Sequence, residues 1–297
     1  MEQKVYDIGG FRVGGEAYEN PSLMIGSIFY RGDKIVEDEK TGEFSREEAE
    51  TRIRMVEELV DRTGLAAMID IVCSNPEAAH RYVEFVADTT NLPVSIDAVS
   101  EEAAVSGIKA AQDLGILERT VFNSISPETK ETVYAKIREA GLKSAIILTY
   151  SARAIISSAE RVKILETLIP KVKAAGIEKI LVDTVVVDVA TLGLACKAIR
   201  EVKERFGYPS GCGAHNAISS WKSLREKMDK NLKNALSAVV NTLPLAVGAD
   251  FILYGPIDAA DHIFPAASLI NATYGQILLE EGKKLDPKHP RFKISRF

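Results

Sequence analysis

The stretch Lys179–Val187 (KILVDTVVV) carries the pattern that decides the fold. It is a short apolar run that contains an aspartate, and an amphipathic helical stretch (ATLGLACKAIREVKERF) follows it. Seven other short apolar runs also end in polar or small residues, and such a helical stretch follows nearly all of them. Eight alternating strand and helix units in 297 residues predict one (β/α)8 barrel, an α/β fold also called a TIM barrel. The other runs are Leu23–Phe29, Ala66–Val72, Pro93–Val99, Thr120–Ile125, Ser144–Tyr150, Pro209–Ala217 and Asp250–Pro256.

The domain organisation follows from the absence of any linker rich in Pro, Gly or Ser. We therefore expect a single domain over residues 1–297. Within residues 1–20, two short alternating runs flank Gly9 and Gly10, which predicts a β-hairpin able to plug the bottom of the barrel. Residues 285–297 (LDPKHPRFKISRF) are basic and aromatic, and we expect this tail to fold over the barrel or a neighbouring subunit.

Composition excludes several classes of partner. The formal net charge is −5 and the charges are spread along the chain, which argues against nucleic acid, since phosphate binding needs a basic face. The sequence lacks the long apolar run that membrane insertion requires, and the start MEQKVYDIGG lacks the features of a signal peptide. Cys73, Cys196 and Cys212 are odd in number and lack CxxC spacing, so we expect a reducing cytoplasm and small core or pocket-wall roles rather than zinc binding.

Polar side chains stand near the ends of five of the predicted strands. In such barrels the C-terminal strand ends converge on one pocket, so a shared ligand explains the five together. For any one aspartate, pairing with an arginine or with amides at a helix start is an equally good interpretation. The five residues are Asp70, Asp97, Asn123, Asp183 and Asn216.

The chemistry of this set points to a flat heterocycle. No lysine stands at a strand end, which argues against a Schiff-base mechanism, and His215 has no second histidine at metal spacing, so we expect no bound metal. A lone histidine is more often a hydrogen-bonded pocket residue. A carboxylate accepts two parallel hydrogen bonds from N3–H and the 2-amino group of a pterin. An asparagine amide both donates and accepts, so it serves a ring nitrogen in either protonation state.

Small and aromatic residues near the last two strands complete the predicted site. Gly211, Gly213 and Gly255 would let ligand or backbone approach closely, although tight turns explain them equally well. Loops at this position hold phosphate in many barrels, but the glycines here lack the pattern of a phosphate-binding helix start. We expect Tyr150 and Tyr254, with His215, at the pocket rim, where the tyrosines could stack on a ring.

Several longer segments resemble one family, that of the H subunit of tetrahydromethanopterin S-methyltransferase, which includes the soluble bacterial methylcorrinoid:tetrahydrofolate methyltransferases. The match covers almost the whole chain. More distantly, the chain resembles the pterin-binding barrels of corrinoid/iron–sulfur methyltransferases. The segments are IGSIFYRGDKIVEDEKTGEF, VFNSIS, LVDTVVVDVA, GCGAHNAISSW and DFILYGPIDAADHIFPA.

The resemblance implies methyl transfer between a corrinoid cobalt, as in methylcobalamin, and N5 of a tetrahydropterin, either tetrahydrofolate or tetrahydromethanopterin. It implies that Asp97, Asn123 and Asp183 hold the pterin edge, that Asn216 lies near N5, and that Asp70 is a further pocket carboxylate. The corrinoid-binding motif DxHxxG is missing from the sequence, so a separate corrinoid-binding protein would bring the cobalt. The lack of a membrane anchor favours tetrahydrofolate as the methyl carrier, and we expect a homodimer.

Three alternatives stay open. The chain could be the tetrahydromethanopterin-specific H subunit of the coenzyme M methyltransferase complex. It could be a pterin barrel like dihydropteroate synthase, although that chemistry binds a diphosphate and the last two strand ends lack Lys and Arg. It could also be a non-catalytic subunit that docks a corrinoid protein, which would bind that protein but no pterin.

Overall fold

Eight parallel strands close into a barrel in the order in which they occur along the chain, and at least one helix follows each. This confirms the (β/α)8 prediction. The computed structural model describes residues 1–296, without the side chains of residues 223–225 and 296. The strands are β1 (Val5–Ile8), β2 (Phe11–Gly14), β3 (Leu23–Ile28), β4 (Val36–Asp38), β5 (Glu43–Phe44), β6 (Ala66–Cys73), β7 (Val94–Ala98), β8 (Thr120–Ile125), β9 (Ser144–Leu148), β10 (Lys179–Asp183), β11 (Ser210–Cys212) and β12 (Phe251–Pro256).

The longer helices surround the barrel, and each buries an apolar face. In the first of them, Ala49, Ile53 and Val56 recur at helical spacing and are buried against the sheet. Within the described residues, no helix is long and apolar enough to cross a membrane. The helices are α1 (Arg46–Thr63), α2 (Pro76–Thr89), α3 (Glu101–Asp113), α4 (Glu131–Ala140), α5 (Ser158–Ala174), α6 (Val189–Phe206), α7 (Asn216–Ser219), α8 (Lys222–Lys227), α9 (Lys230–Ala246), α10 (Ala260–Glu280) and α11 (Pro290–Lys293).

The hairpin β1–β2 closes the bottom of the barrel. Its strands pair antiparallel about Gly9 and Gly10, which both have positive φ, so the predicted N-terminal hairpin is confirmed. Ile8 and Val13 belong to the same buried cluster as the barrel residue Phe251. The hairpin therefore seals the apolar interior from solvent at the N-terminal ends of the strands.

The tail lies against the same end of the molecule. The imidazole of His289 is buried, and because its Nδ1 accepts from the Arg291 amide, its Nε2 donates to the Tyr18 carbonyl at 3.1 Å. Helix α11 packs on α10 and α1. The last residue of the predicted tail, 297, lies outside the described residues.

The long loop after β3 contains a second hairpin, β4–β5, that sequence reasoning did not find. Phe29, at the start of this loop, has a positive φ of 63° and stacks on Tyr82 with ring centroids 4.1 Å apart. The Asp33 carboxylate accepts from the Phe29 amide at 3.0 Å and from Arg52 at 2.7 Å. The loop is thus fixed by buried aromatic and ionic contacts.

All three cysteines are buried free thiols, as expected.

An ion pair ties the hairpin end of the barrel together. Lys203 on α6 donates to both carboxylate oxygens of Asp250, at 2.6 and 2.7 Å, and to the carbonyl of Gly15 at 3.1 Å. Asp250 also accepts from the Ser210 amide at 2.9 Å. Both charged side chains are nearly buried, so each needs the other to offset the loss of hydration.

We expect Lys203→Met to lower the free energy of unfolding by about 3–5 kcal/mol, because it leaves the Asp250 carboxylate buried without its cation. Chemical denaturation followed by circular dichroism measures this. The matched control is Lys197→Met on the same helix, whose exposed pair with Glu201 should contribute less than about 1 kcal/mol. Equal losses in the two variants would contradict the role of the buried pair.

Candidate active site

The polar layer of the barrel interior begins where its apolar layer ends. Leu23 and Ile25 point inward at the bottom of β3, and Ser27 occupies the next inward position. Asp70 on β6 is the direct neighbour of Ser27 and of Ser95 on β7. Asp97 on β7 is likewise paired in register with Asn123 on β8. Three adjacent strands therefore bring predicted site residues together.

Asp70 is completely enclosed by donors of the protein itself. Its carboxylate accepts from the Ser27 hydroxyl at 2.8 Å, the Ser95 hydroxyl at 2.5 Å and the Asn123 amide at 3.1 Å. Burial raises its pKa, and these three hydrogen bonds oppose that shift. Asp70 lies deeper than the sequence predicted and has little capacity left for a ligand. It acts on the pocket through Asn123.

The orientation of Asn123 follows from that contact. Because its Nδ2 donates to Asp70, its Oδ1 is left as an acceptor that the pocket can use. Sequence reasoning missed the two serines that hold Asp70. The signal was present, since Ser27 and Ser95 fall on the inward parity of their strands.

Asp97 is the open carboxyl group of the site. Its carboxyl group makes no hydrogen bond within the described part of the chain. Burial raises the pKa of Asp97 well above its usual value, and the charge of Asp70 adds to this rise. Three donors favour the ionised form of Asp70, and the charge of Asp70 in turn favours the protonated form of Asp97. A protonated carboxyl both donates and accepts a hydrogen bond.

Asp183 ends β10 and is held by backbone amides. Its Oδ1 accepts from the Val185 amide at 2.7 Å, and Val185 reaches this position with a φ of 53°, which is strained for a β-branched residue. Burial raises the pKa of Asp183 to about 6, while the amides of Val185 and Gly213 and the charge of Arg161 act in the opposite direction. Asp183 is therefore mostly ionised at neutral pH.

Asn216 and Gly213 lie beyond the end of β11. Asn216 is the first residue of α7, not a strand residue as the sequence predicted, and its Nδ2 donates to the Val186 carbonyl at 2.9 Å. A Cβ at Gly213 would lie 3.5 Å from that Nδ2 and 4.0 Å from Oδ2 of Asp183. Asn216 and Asp183 thus border one small space that the missing side chain keeps open.

His215 and Tyr150, both predicted for the pocket rim, follow the strands β11 and β9. The imidazole of His215 packs over Gly255, whose φ is 88°, and a Cβ there would fall 2.3 Å from the ring. Burial lowers the pKa of His215, so the ring is neutral at pH 7. Tyr150 follows β9 and is 38% exposed.

Two of the predicted residues lie elsewhere. Tyr254 is only 1% exposed and packs edge-to-face on Phe264, between the strands and the helices, so its predicted place at the rim is wrong. Gly211 faces Phe251, where a Cβ would fall 2.0 Å from the carbonyl oxygen. Its missing side chain serves the packing of β11 on β12 rather than a ligand.

Arg161 is the residue near the site that sequence reasoning missed. Its side chain is wholly buried, and its charge acts on Asp183. The signal was its position on α5, because it shares the buried face of that helix with Leu165 and Val172. A charged residue on an apolar helix face calls for a buried partner.

The described residues contain no group of three His, Cys, Asp or Glu side chains placed to hold a metal ion. The structure instead gathers polar side chains at the C-terminal face of a TIM barrel, namely the carboxyl groups of Asp97 and Asp183 and the oriented amides of Asn123 and Asn216. Such a set recognises a polar heterocycle by hydrogen bonds.

The sequence of the whole chain matches a known family. The model of the tetrahydromethanopterin S-methyltransferase MtrH subunit family matches residues 1–285, and the chain belongs to that family of methyltransferases. It is 34% identical to the H subunit of tetrahydromethanopterin S-methyltransferase from Methanothermobacter thermautotrophicus, covering 99% of this chain and 98% of that protein. It is 35% identical to the protein of the same name from Methanopyrus kandleri, over 91% and 90% of the two chains.

Solved structures confirm the fold. Dihydropteroate synthase of Yersinia pestis, in complex with a sulfonamide drug, aligns with a TM-score of 0.65 at 15% identity, covering 92% of this chain and 100% of that one. The enzyme of Xanthomonas albilineans aligns with a TM-score of 0.61 at 16% identity, over 92% and 98%. At this identity the likeness concerns the barrel alone.

We expect Asp97→Asn to stabilise the protein at pH 7. Because burial raises the pKa of Asp97 above its unfolded value of about 3.9, the native state binds more protons, and stability falls as pH rises between the two pKa values. Asparagine removes this penalty, and the free energy of unfolding should rise by about 1 kcal/mol, or roughly 2 °C in the thermal midpoint.

Thermal unfolding of both proteins at pH 5 and pH 7 measures the effect, which should be smaller at pH 5. The control is Asp113→Asn, an exposed aspartate paired with Lys109, which should change stability by no more than about 0.5 kcal/mol. A lower midpoint for Asp97→Asn at pH 7 would mean that Asp97 is ionised and compensated.

Proposed function

We propose that this chain transfers a methyl group between a protein-bound corrinoid and N5 of a tetrahydropterin, and that residues 1–297 form one pterin-binding methyltransferase domain. The observation that supports the proposal best is that two buried carboxyl groups, those of Asp97 and Asp183, lie at the C-terminal ends of β7 and β10 on the same face of the barrel. Tetrahydrofolate is the carrier that the sequence favoured, and tetrahydromethanopterin is the one that the relatives' names carry. The pterin head common to both is what this site would recognise.

The donor and acceptor pattern supports a pterin. The ionised Asp183 suits N3–H and the 2-amino group, which are two parallel donors. The protonated Asp97 adds a donor for an acceptor atom of the ring, and the free oxygen of Asn123 accepts from a ring N–H. Two carboxyl groups held in opposite protonation states therefore divide the two kinds of hydrogen bond between them.

The reaction itself is a displacement at carbon. Toward the pterin, the N5 lone pair forms the new N–C bond, the Co–C bond breaks with both electrons left on cobalt, which passes from Co(III) to Co(I), and the N5 proton is released. In reverse, N5 must first be protonated, since a neutral tertiary amine is a poor leaving group. By the family resemblance Asn216 lies near N5, where a hydrogen bond that strengthens as charge develops lowers the barrier.

A corrinoid protein as partner is supported by apolar side chains at the mouth. Val99, Ile156 and Val189 are exposed and follow β7, β9 and β10, the same strands that carry Asp97 and Asp183 or lie between them. Exposed apolar residues grouped at one end of a protein favour contact with another protein. They therefore support docking of the corrinoid carrier directly over the pocket.

The remaining proposals concern assembly and compartment. Leu232, Val239 and Leu243 on α9, with Leu269 and Ile277 on the adjoining α10, are exposed apolar residues that support a homodimer. Three buried free thiols support a reducing cytoplasm.

Two other functions remain to be tested against this one. A dihydropteroate synthase would bind a diphosphate, yet neither β11 nor β12 contains a lysine or an arginine. A non-catalytic docking subunit would bind a corrinoid protein without binding pterin, which leaves the oriented carboxyl and amide groups without a purpose. Measurements of pterin binding and of methyl transfer distinguish these three functions.

We expect isothermal titration calorimetry to detect micromolar binding of tetrahydrofolate or tetrahydromethanopterin, and we expect Asp183→Ala to weaken it about tenfold or more. The physical reason is the loss of two charge-assisted hydrogen bonds. Asp113→Asn, remote from the pocket, is the control and should bind like the unmodified protein.

The same samples then receive methylcobalamin, and mass spectrometry follows formation of N5-methylated pterin. Binding without turnover would favour the docking subunit or a different pterin reaction. If neither pterin binds, the proposed function fails.

The pterin affinity should also depend on pH. Because burial raises the pKa of Asp183 to about 6, protonation below that pH removes an acceptor, and affinity should fall about tenfold for each further pH unit. Calorimetry between pH 5 and pH 8 measures this. Asp183→Asn, which carries no titratable group, should bind weakly with a flat profile. A flat profile for the unmodified protein would show that an ionised Asp183 is not required.

A further inference from the structure

We propose that Gly213 is a specificity-determining residue of this site, because its missing side chain leaves the space through which a flat ring reaches Oδ2 of Asp183. The inference rests on the proposed function, since it takes a pterin as that ring. It gives Gly213 a role in admitting the ligand and none in the stability of the fold.

Gly213 directly follows β11, at the C-terminal end of the barrel. It is partly exposed, whereas its neighbours Cys212 and Ala214 are both 0% exposed. Its carbonyl accepts from the Asn216 amide at 3.2 Å, in the turn that leads into α7. The chain therefore becomes accessible at Gly213, between two buried residues and next to a predicted site residue.

Two predicted site residues border the position that a side chain at Gly213 would occupy. A Cβ there would lie 4.0 Å from Oδ2 of Asp183 and 3.5 Å from Nδ2 of Asn216. The other oxygen of Asp183, Oδ1, accepts from the Val185 amide at 2.7 Å. Nδ2 of Asn216 donates to the Val186 carbonyl at 2.9 Å. The space is thus bounded by a carboxylate and an amide that the protein itself holds in place.

The ordinary structural reasons for a glycine do not apply at residue 213. Its φ lies outside the left-handed region, and both atoms named above would be at van der Waals distance from a Cβ. Two other glycines of β11 and β12 differ. A Cβ at Gly211 would fall 2.0 Å from the Phe251 carbonyl oxygen, and Gly255 has a φ of 88°. The fold therefore requires glycine at these two positions but accepts alanine at 213.

A ligand explains the glycine that the fold does not require. A donor nitrogen lies about 2.9 Å from the oxygen that accepts its hydrogen bond, and carbon atoms in contact lie about 3.5–4.0 Å apart. A methyl group 4.0 Å from Oδ2 of Asp183 would therefore stand where a ring must lie to reach that oxygen from the side of Gly213. A planar pterin can lie directly against the glycine backbone, so its N3–H and 2-amino edge reaches the carboxylate.

The test compares Gly213→Ala with the unmodified protein by thermal unfolding without ligand and by calorimetric titration with tetrahydrofolate and tetrahydromethanopterin. The thermal midpoint should stay equal or rise by roughly 1–2 °C, because alanine has less conformational entropy to lose on folding. Affinity for the pterin that the unmodified protein binds should fall about tenfold or more, because the methyl group keeps the ring from its charge-assisted hydrogen bonds with Asp183.

Two further glycine variants are controls for the substitution itself. Gly193 lies on the exposed face of α6, where a Cβ would meet nothing within 4 Å, so Gly193→Ala should leave pterin affinity unchanged. Gly211→Ala should lower the thermal midpoint, because its Cβ would collide with backbone. An unchanged affinity in Gly213→Ala would overturn the inference. A lower midpoint or a failure to fold in that variant would also overturn it, since either gives the glycine a structural role.

The same titrations separate this inference from the proposed function. If the unmodified protein binds neither pterin, the proposed function fails and the inference fails with it. If the unmodified protein binds a pterin and Gly213→Ala binds it equally well, the proposed function stands and the role of Gly213 alone is refuted.

Discussion

Burial of carboxyl groups inside a closed barrel is the constraint on which this site depends. Parallel strands that close on themselves point every second side chain into an interior that water does not enter freely. Below, that interior holds residues such as Leu23 and Phe251, and the N-terminal hairpin seals it. Above, the same alternation turns Asp70 and Asp183 inward, where ionisation is costly unless partners offset the lost hydration.

The three aspartates meet this cost in three ways, and the differences define their roles. Asp70 is surrounded by two hydroxyl groups and an amide, which leaves it structural. Asp183 is offset by backbone amides and a buried cation, so it stays an acceptor near neutral pH. Asp97 lacks donors within the described residues and is better protonated. One residue type thus supplies a support, an acceptor and a donor within one pocket.

Much of the fold followed from the sequence because strand runs and helix faces are local patterns. The runs at Ala66–Val72 and Thr120–Ile125 agree with the observed strands to within a residue. The run at Pro209–Ala217 was too long, because the chain leaves the sheet at Gly213 and α7 starts at Asn216. A short apolar or small-residue run cannot distinguish a strand from the turn and helix that continue it. The position of a site residue was predictable where the alternation of inward and outward residues along a strand determines it. It was not predictable where it depends on packing between segments far apart in the sequence. Parity places Tyr254 on the outer face, since Phe251 and Leu253 are the inward residues of β12, whereas position along the run alone suggests the rim. Arg161 is different, because its distance in sequence from Asp183 gives no hint that its charge acts on that carboxylate. That effect depends on where α5 lies against the barrel, which only the folded chain determines.

The thiols of this chain are not placed to carry the methyl group themselves. Its three cysteines are buried, and burial raises their pKa values, so none of these thiols is an available nucleophile. Under the proposed function, the methyl group would pass directly between N5 and cobalt, with both partners bound at the barrel mouth together. The rate would then come mainly from alignment of three atoms, which rewards a pocket whose amides and carboxyl groups are oriented before the pterin arrives.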